Sequence, residues 1–189
     1  MNAPTRSMTV VGIGVMASLV LATATFAQTE KIAAGTSAIA DFNNRVTAYV
    51  DLTKDATLGV PPLKKTDDAS EIAAHEVALG GAIRAARAGA RPGDILTRET
   101  ARVFRRLIKN DFRQRPRHSQ KVMLDDIPHF RPTVNQTYPS EWPLATFPAT
   151  LLAKMPELPD GLEYRLLSEA LILRDVRANI IVDFILDVF

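Results

Sequence analysis

The apolar positions of the chain become regularly spaced after Ser37, a residue that can cap a helix N-terminus. From there, apolar side chains recur every three or four residues, which is the period of one buried helix face. Gly59 and the prolines at 61 and 62 end the pattern, because proline lacks the amide donor that a helix needs. The sequence therefore predicts a first helix whose buried face carries Ile39, Phe42, Val46, Tyr49 and Val50.

Two further helices are predicted before residue 115. Asp68 with Glu71 three residues later is typical of a helix start, and Gly89 followed by Pro92 closes this second helix. Thr97 begins the third helix. We expect buried faces made of Ile72, His75, Leu79, Ile83 and Ala86 on the second helix and of Ala101, Phe104, Leu107, Ile108 and Phe112 on the third.

The glycine pair Gly80-Gly81 falls inside the second predicted helix, where each glycine costs about 1 kcal/mol relative to alanine. Either another backbone packs very closely against the helix at this point, or the helix is interrupted. We favour the close approach.

Residues 115–161 differ in character, because eight prolines punctuate them. Each proline pushes the residue before it toward an extended conformation, so we expect polyproline and turn segments rather than a long helix. The stretch also holds large apolar side chains such as Phe130, Tyr138 and Trp142. We therefore expect a proline-rich arm that wraps the core.

The C-terminal residues predict three short antiparallel strands, at Leu162–Leu167, Ala170–Asp175 and residues 179–189. Turns are expected at 168–169 and 176–178, and Asn179 suits a left-handed turn position. Asp183 and Asp187 interrupt the last strand, which indicates a solvated end or face. The fold class predicted is α+β, with an N-terminal helical half, a proline-rich wrapping segment and a small C-terminal antiparallel β-sheet.

The N-terminal residues have the outline of a signal peptide. Arg6 precedes a stretch, residues 8–27, that carries no charge and ends in small side chains. Cleavage is expected after Ala27, and cleavage after Ala24 is the alternative. An uncleaved membrane anchor is the other alternative, since a spanning helix needs roughly 20 apolar residues.

The chain has no cysteine, so neither a disulfide nor a lipid-modified cysteine is available. Without residues 1–27, the remaining 162 residues are enough for one domain with its own core. We expect a single α+β domain at 28–189, helical over 28–114, a proline-rich arm over 115–161 and a β meander over 162–189.

Charge is unevenly distributed along the chain. Residues 82–121 hold twelve basic and three acidic side chains, whereas residues 28–81 hold five basic and eight acidic ones. The third helix is the centre of this basic segment, and its candidate anion or partner surface consists of Arg98, Arg102, Arg105, Arg106, Lys109 and Arg113. The alternative is a solvated helix face that pairs with acidic segments of the same chain. Nucleic acid is not an expected partner, because no aromatic residues interleave these arginines.

Candidate catalytic and metal-binding residues are few. His75-Glu76 has no second histidine four residues on, as a zinc-protease helix requires, and His75 is interpreted as a core residue. Asp125, Asp126 and His129 are the one compact set of potential ligands, but Pro128 prevents a helix from bringing them together. No nucleophile motif or phosphate loop is present. We predict no catalytic residue, no metal site and no cofactor.

Six short motifs stand out along the second half of the chain: GDILT at 93–97, VNQTYP at 134–139, PLAT at 143–146 and above all LPDGLEYR at 158–165, LILRD at 171–175 and IVDFI at 181–185. Through these motifs the chain resembles a family of uncharacterised exported bacterial proteins over roughly residues 40–189. The resemblance implies a periplasmic or secreted location and a helical-plus-β-hairpin architecture, and it supplies no activity. The strand-turn-strand ending also looks like that of small periplasmic proteins linked to nickel and cobalt homeostasis.

Together these features predict an exported bacterial envelope protein with a non-enzymatic binding role. The expected partner is an anionic envelope polymer or another envelope protein, and contact with a membrane is expected only through the signal peptide. A small exported enzyme or a metal-handling periplasmic protein is the alternative.

Overall fold

The computed structural model describes residues 17–125, 130–139, 147–167 and 169–189, with side chains from Ile32 onward. Residues Met1–Thr36 and Ser37–Phe189 form two separate compact units. The fold is α+β, as predicted. Its elements are α1 (Ala17–Ala56), α2 (Ala69–Ala86), α3 (Arg98–Arg113), α4 (Arg117–Asp125), α5 (Ala149–Leu152), β1 (Leu162–Leu167), β2 (Ala170–Asp175) and β3 (Ile180–Ile185).

Helix α1 begins twenty residues before the predicted start at Ser37, which lies exposed within the helix. The prediction of a cap at Ser37 was wrong because the preceding residues are rich in alanine, the strongest helix former, and contain no proline. The buried face is close to the predicted one. Phe42, Val46 and Tyr49 are buried, and Ile39 and Val50 pack against them from partly exposed positions.

Helix α2 starts as predicted, since the Asp68 carboxylate accepts a hydrogen bond from the backbone N–H of Ser70 at 2.8 Å. The predicted buried face is wrong over much of its length, because Ile72 is 44% exposed and Ala86 is exposed. Ile83 is buried in the core. Helix α2 thus packs through its C-terminal half, and an apolar period alone could not show where the packing begins.

A close backbone contact explains why residue 80, in the middle of α2, is a glycine. A Cβ atom at this position would lie 2.9 Å from the backbone oxygen of Ala178, whereas a Cβ at Gly81 would meet nothing within 4 Å. The predicted close approach of another backbone is therefore confirmed at Gly80.

The proline-rich segment contains two helices that the sequence did not predict, α4 and the four-residue α5. Helix α4 occupies nine residues between Pro116 and residue 126, where no proline interrupts the chain. Pro116 directly precedes it, and proline is well tolerated at a helix start. The interpretation of residues 117–125 as turn and polyproline structure was wrong.

Residues 130–139 wrap one face of the sheet, as predicted. The backbone N–H of Asn135 donates to Ile181 at 2.8 Å, the N–H of Ile181 donates to Gln136 at 2.8 Å, and the N–H of Tyr138 donates to Asn179 at 2.9 Å. These bonds place the segment beside β3. The covered face forms a small cluster of Tyr138, Leu167, Ile172 and Ile181, against which Phe130 and Phe184 pack. Trp142 lies outside the described residues.

The sheet has the order β1-β2-β3 with both pairs antiparallel, as predicted. Its other face belongs to the main core, in which buried residues of all three strands join those of α1, α2 and α3. Strand β3 ends at Ile185 rather than at residue 189. It stops early because Asp187, exposed as expected, takes a positive φ of 56°, which ends an extended segment.

The turn between β2 and β3 is fixed by side chains. The buried Asp175 carboxylate accepts the backbone N–H groups of Arg177 at 3.0 Å and Ala178 at 3.1 Å. Asn179 has the predicted left-handed conformation, with φ of 47°. Its side-chain oxygen accepts from Arg174 at 2.6 Å, and its amide donates to the backbone oxygen of Tyr138 at 3.0 Å.

Asp183 is completely buried, so the prediction that it marks a solvated face was wrong. One carboxylate oxygen accepts the backbone N–H of Gly93 at 2.9 Å, and the other accepts those of Ile95 and Leu96, each at 2.8 Å. The register of β2 and β3 shifts beside Asp183, and such a bulge re-aims a side chain. The loop between α2 and α3 is thereby attached to the sheet.

Within the described residues, no helix combines the length and the hydropathy needed to cross a membrane.

Replacing Asp183 with asparagine should lower the free energy of unfolding by about 2 to 4 kcal/mol. An amide offers one acceptor oxygen instead of two and points N–H groups at buried N–H donors. Equilibrium urea unfolding measures the loss. The same change at exposed Asp51, on α1, should alter stability by less than about 0.5 kcal/mol, and equal effects at both positions would contradict a structural role for Asp183.

Two glycine-to-alanine changes in α2 should affect the free energy of unfolding in opposite directions. Gly80→Ala places a methyl group against the Ala178 backbone, and we expect a net loss of about 1 to 3 kcal/mol despite the better helix propensity. Gly81→Ala meets open space and should gain up to about 1 kcal/mol. Thermal or urea unfolding of the two variants, one residue apart, tests the close contact directly.

Candidate anion-binding surface

Helix α3 is oriented by its apolar side. The Thr97 side chain caps the helix by accepting the backbone N–H of Thr100 at 3.3 Å. Phe104, fully buried, meets the rings of Phe42 and Tyr164 edge-on, with ring centroids 5.2 and 6.0 Å apart. Such aromatic contacts favour one geometry, so they fix which side of α3 faces the core.

The C-terminal end of α3 is held by the buried carboxylate of Asp111. It accepts hydrogen bonds from Arg115 at 2.6 Å and Thr150 at 2.9 Å, and Lys154 lies 3.4 Å away. Burial opposes ionisation of this carboxyl group, but the hydrogen bonds from Arg115 and Thr150 outweigh it and hold its pKa below the ordinary value. These contacts connect α3 to α5 and limit rotation of the helix.

The predicted basic residues occupy the opposite side of α3. With 3.6 residues per turn, all six fall within an arc of about 100° and extend over about 22 Å. Five of them are exposed, and Arg105 is half-buried, where its Nε donates to the backbone oxygen of Leu186 at 2.9 Å. We call this surface the basic stripe; it consists of Arg98, Arg102, Arg105, Arg106, Lys109 and Arg113.

Acidic partners of the basic stripe are scarce. Arg102 pairs with Glu99 of the same helix at 3.1 Å, and both side chains are more than half exposed. Arg113 donates instead to the backbone oxygen of Lys109 and to the Asn110 side chain. Among the described residues, Glu99 is the one carboxylate within ion-pair distance of the stripe. The described acidic segments 28–81 and 164–189 supply it with no ion pair, although the sequence left that pairing open.

This arrangement can bind anions. Arginine presents a planar fork of N–H donors that matches carboxylate, sulfate and phosphate oxygens, and its charge persists at any physiological pH. Successive side chains one turn apart on the stripe are about 5 to 6 Å from each other. An extended ligand with repeated negative charges would therefore meet several cations at once.

The other residues considered in the sequence form no metal site within the described chain. His75 is half-buried on α2 beside Glu76. Asp125 ends α4 and pairs with Lys121 at 2.8 Å, while Asp126 and His129 lie outside the described residues. In the part of the chain that the structure describes, no group of three or more potential ligands comes together.

A buried polar group around Arg87 was missed in the sequence. The Tyr49 hydroxyl donates to Asp175 at 2.9 Å, and the Arg87 guanidinium lies 5.1 Å from the centre of the Tyr49 ring. Burial raises the pKa of Tyr49, and the Asp175 charge raises it further. Arg87 comes directly after the apolar face of α2, between Arg84 and Arg91, and nothing in the local sequence distinguished it from these two arginines.

Comparison with family models, with curated proteins and with solved structures finds no match to this chain.

Proposed function

We propose that the protein is an exported, non-enzymatic bacterial envelope protein that binds an anionic polymer through the basic stripe of α3. The observation that carries this proposal is the alignment of six cations on one helix side with a single carboxylate in ion-pair contact among the described residues. Surface cations that served only solubility would be expected to alternate with acidic residues.

Two features of the stripe favour a polymer over a small anion. Its charges are spread over about 22 Å rather than gathered around one point, and five of the six side chains project into solvent without a surrounding wall. A repeating polyanion gains from each successive contact, since one binding event places many charges near many cations. Arginine and lysine side chains offer hydrogen-bond donors and no acceptor, so a role in binding anions suits the stripe better than catalysis.

Export is the second part of the proposal and is supported by the uncharged residues 8–27 and the small side chains that end them. Helix α1 continues through Ala27 without interruption. The described core residues begin at Ala38, within the second compact unit. Removal of residues 1–27 would therefore leave every described core side chain in place.

Reversing Arg102 and Arg106 to glutamate should weaken binding to polyphosphate at least tenfold at low salt. Two charges in the middle of the stripe are inverted, so the net charge falls by four units, while stability should fall by no more than about 1 kcal/mol because exposed pairs contribute little. Binding is measured by fluorescence anisotropy of a labelled polyphosphate. The affinity of the unmodified protein should also fall steeply as salt rises, since added ions screen exposed charges.

The matched control reverses Lys64 and Lys65, which are exposed in the segment between α1 and α2. This double variant has the same net charge as the stripe variant and should retain most of the affinity. Equal weakening by both double variants would show that net charge alone causes binding. Polyphosphate binding that neither variant changes would remove the basic stripe from the function.

The export proposal predicts a mature protein that begins at Gln28, or at Thr25 if the alternative site is used. Expression of the full chain in a Gram-negative host, followed by cell fractionation and mass spectrometry of the N-terminus, tests it. An intact Met1 in the membrane fraction would indicate an uncleaved anchor, and an intact Met1 in the cytoplasm would contradict export.

A further inference from the structure

A cleft of about 390 Å³ lies beside the buried polar group, away from the basic stripe. One side is formed by α1, and the other by the end of α2 and the loop that follows it. Its volume falls within the range of small-molecule sites in proteins. Its lining includes Arg45, Ala48, Tyr49, Leu52, Arg87 and Asp94.

Arg87 is the unusual member of this cleft, because its side chain is buried without an ion pair. The residue is 7% exposed. Its guanidinium donates to the side-chain oxygen of Asn135 at 2.7 Å and to the backbone oxygen of Val182 at 3.0 Å, and both acceptors are neutral. Among the described residues, no carboxylate lies within ion-pair distance of it.

A buried guanidinium normally has an anionic partner, since desolvation of an uncompensated charge costs several kcal/mol. Burial lowers the pKa of Arg87, and the electrostatic influence of Tyr49, Asp183 and Asp94 only partly opposes this effect. Two of its five N–H donors are engaged by Asn135 and Val182. The remaining donors give Arg87 the capacity to bind an anion that enters the cleft.

Arg45 supplies a second cation at the rim. Its Nη1 donates to the backbone oxygen of Asp94 at 2.8 Å, which holds the side chain across the cleft, and its Nε pairs with Asp41 at 2.8 Å. The carboxylate of Asp94 itself is turned to the backbone N–H of Arg91, 2.7 Å away. The lining thus contains two cations and the Asp94 carboxylate. Because Arg45 is already paired with Asp41, Arg87 is the cation of the lining that has no ion pair among the described residues.

The rest of the lining is apolar, with three alanines, Leu52 and Ile95 beside the Tyr49 ring. An inorganic ion would leave the apolar lining exposed to water, whereas the hydrocarbon part of an organic ligand would cover it. A single negative charge matches the one cation without an ion pair, Arg87, and a doubly charged phosphate would place a second, unmatched charge near the Asp94 carboxylate.

We propose that this cleft binds a small organic monocarboxylate, whose carboxylate lies between Arg87 and Arg45 and whose apolar body packs against Ala48, Leu52 and Ile95. The site is separate from the basic stripe and does not depend on the function proposed for it. The ligand class follows from the buried cation without an ion pair, Arg87, and from the apolar lining.

The experiment titrates the full-length protein with hexanoate, hexanamide and hexyl phosphate at pH 7.5 and follows backbone amide shifts by NMR. Hexanoate should bind, with shifts centred on residues 45–52 and 86–95. Hexanamide, which matches it in shape but has no charge, should bind at least tenfold more weakly, and hexyl phosphate should also bind more weakly than hexanoate.

Two rim variants test the location without disturbing buried Arg87. Arg45→Gln should weaken hexanoate binding at least fivefold, and Ala48→Phe, at an exposed position on α1 that lines the cleft, should fill the space and abolish it. Lys64→Gln, the same charge change at an exposed position outside the cleft and outside the basic stripe, should leave the affinity unchanged.

The proposal is overturned by several results. These are no hexanoate binding at millimolar concentration, equal affinity for hexanamide, tighter binding of hexyl phosphate, or hexanoate binding that survives Ala48→Phe unchanged. Binding of polyphosphate reports on the basic stripe alone, so failure of either proposal leaves the other to be judged by its own measurements.

Discussion

The three hydrogen bonds that the Asp183 carboxylate accepts from the loop before α3 connect the two halves of the fold. Helices and sheet could pack in many rotations if apolar contact alone held them, because hydrophobic burial has no direction. The Asp183 carboxylate accepts hydrogen bonds from the backbone N–H groups of Gly93, Ile95 and Leu96, and these directional bonds fix the position of the loop on the sheet. The loop in turn sets where α2 ends and where α3 begins. The positions of the basic stripe and of the cleft beside Arg87 therefore depend on β3.

Several features that depend on near neighbours were predicted from the sequence, although the start of α1 and helix α4 were not. Most features that depend on distant partners were missed, and the close approach at Gly80 is the exception. The Thr97 cap and the basic stripe follow from spacings of three and four residues within α3. The strands follow from short apolar runs and turn residues. Asp183 was predicted to face solvent because it is charged. Its hydrogen-bond partners lie about ninety residues earlier in the chain, and the sequence alone does not reveal them. Arg87 was missed for the same reason, since its acceptors come from residues 135 and 182.

The basic stripe and the cleft show two ways in which this chain handles positive charge. On α3 the cations are exposed to water, which solvates them, so an unpaired charge costs little free energy there. Exposed charges also attract anions over long distances at low salt. At Arg87 the surrounding protein removes water, and neutral acceptors with the Tyr49 ring replace part of the lost solvation. The first arrangement suits loose, multivalent contact, and the second suits a single, well-defined ligand.

The turn between β2 and β3 has an evolutionary consequence that follows from its contacts. Surface turns usually accept insertions and deletions, because few bonds depend on their length. Here the Asp175 side chain accepts hydrogen bonds from the turn backbone, and the Asn179 side chain donates one to the backbone oxygen of Tyr138. The backbone oxygen of Ala178 packs closely against α2 at Gly80. A lengthened turn would break contacts with three separate parts of the chain, so we expect related sequences to keep its length while the segment between α1 and α2, exposed over residues 61–65, varies freely.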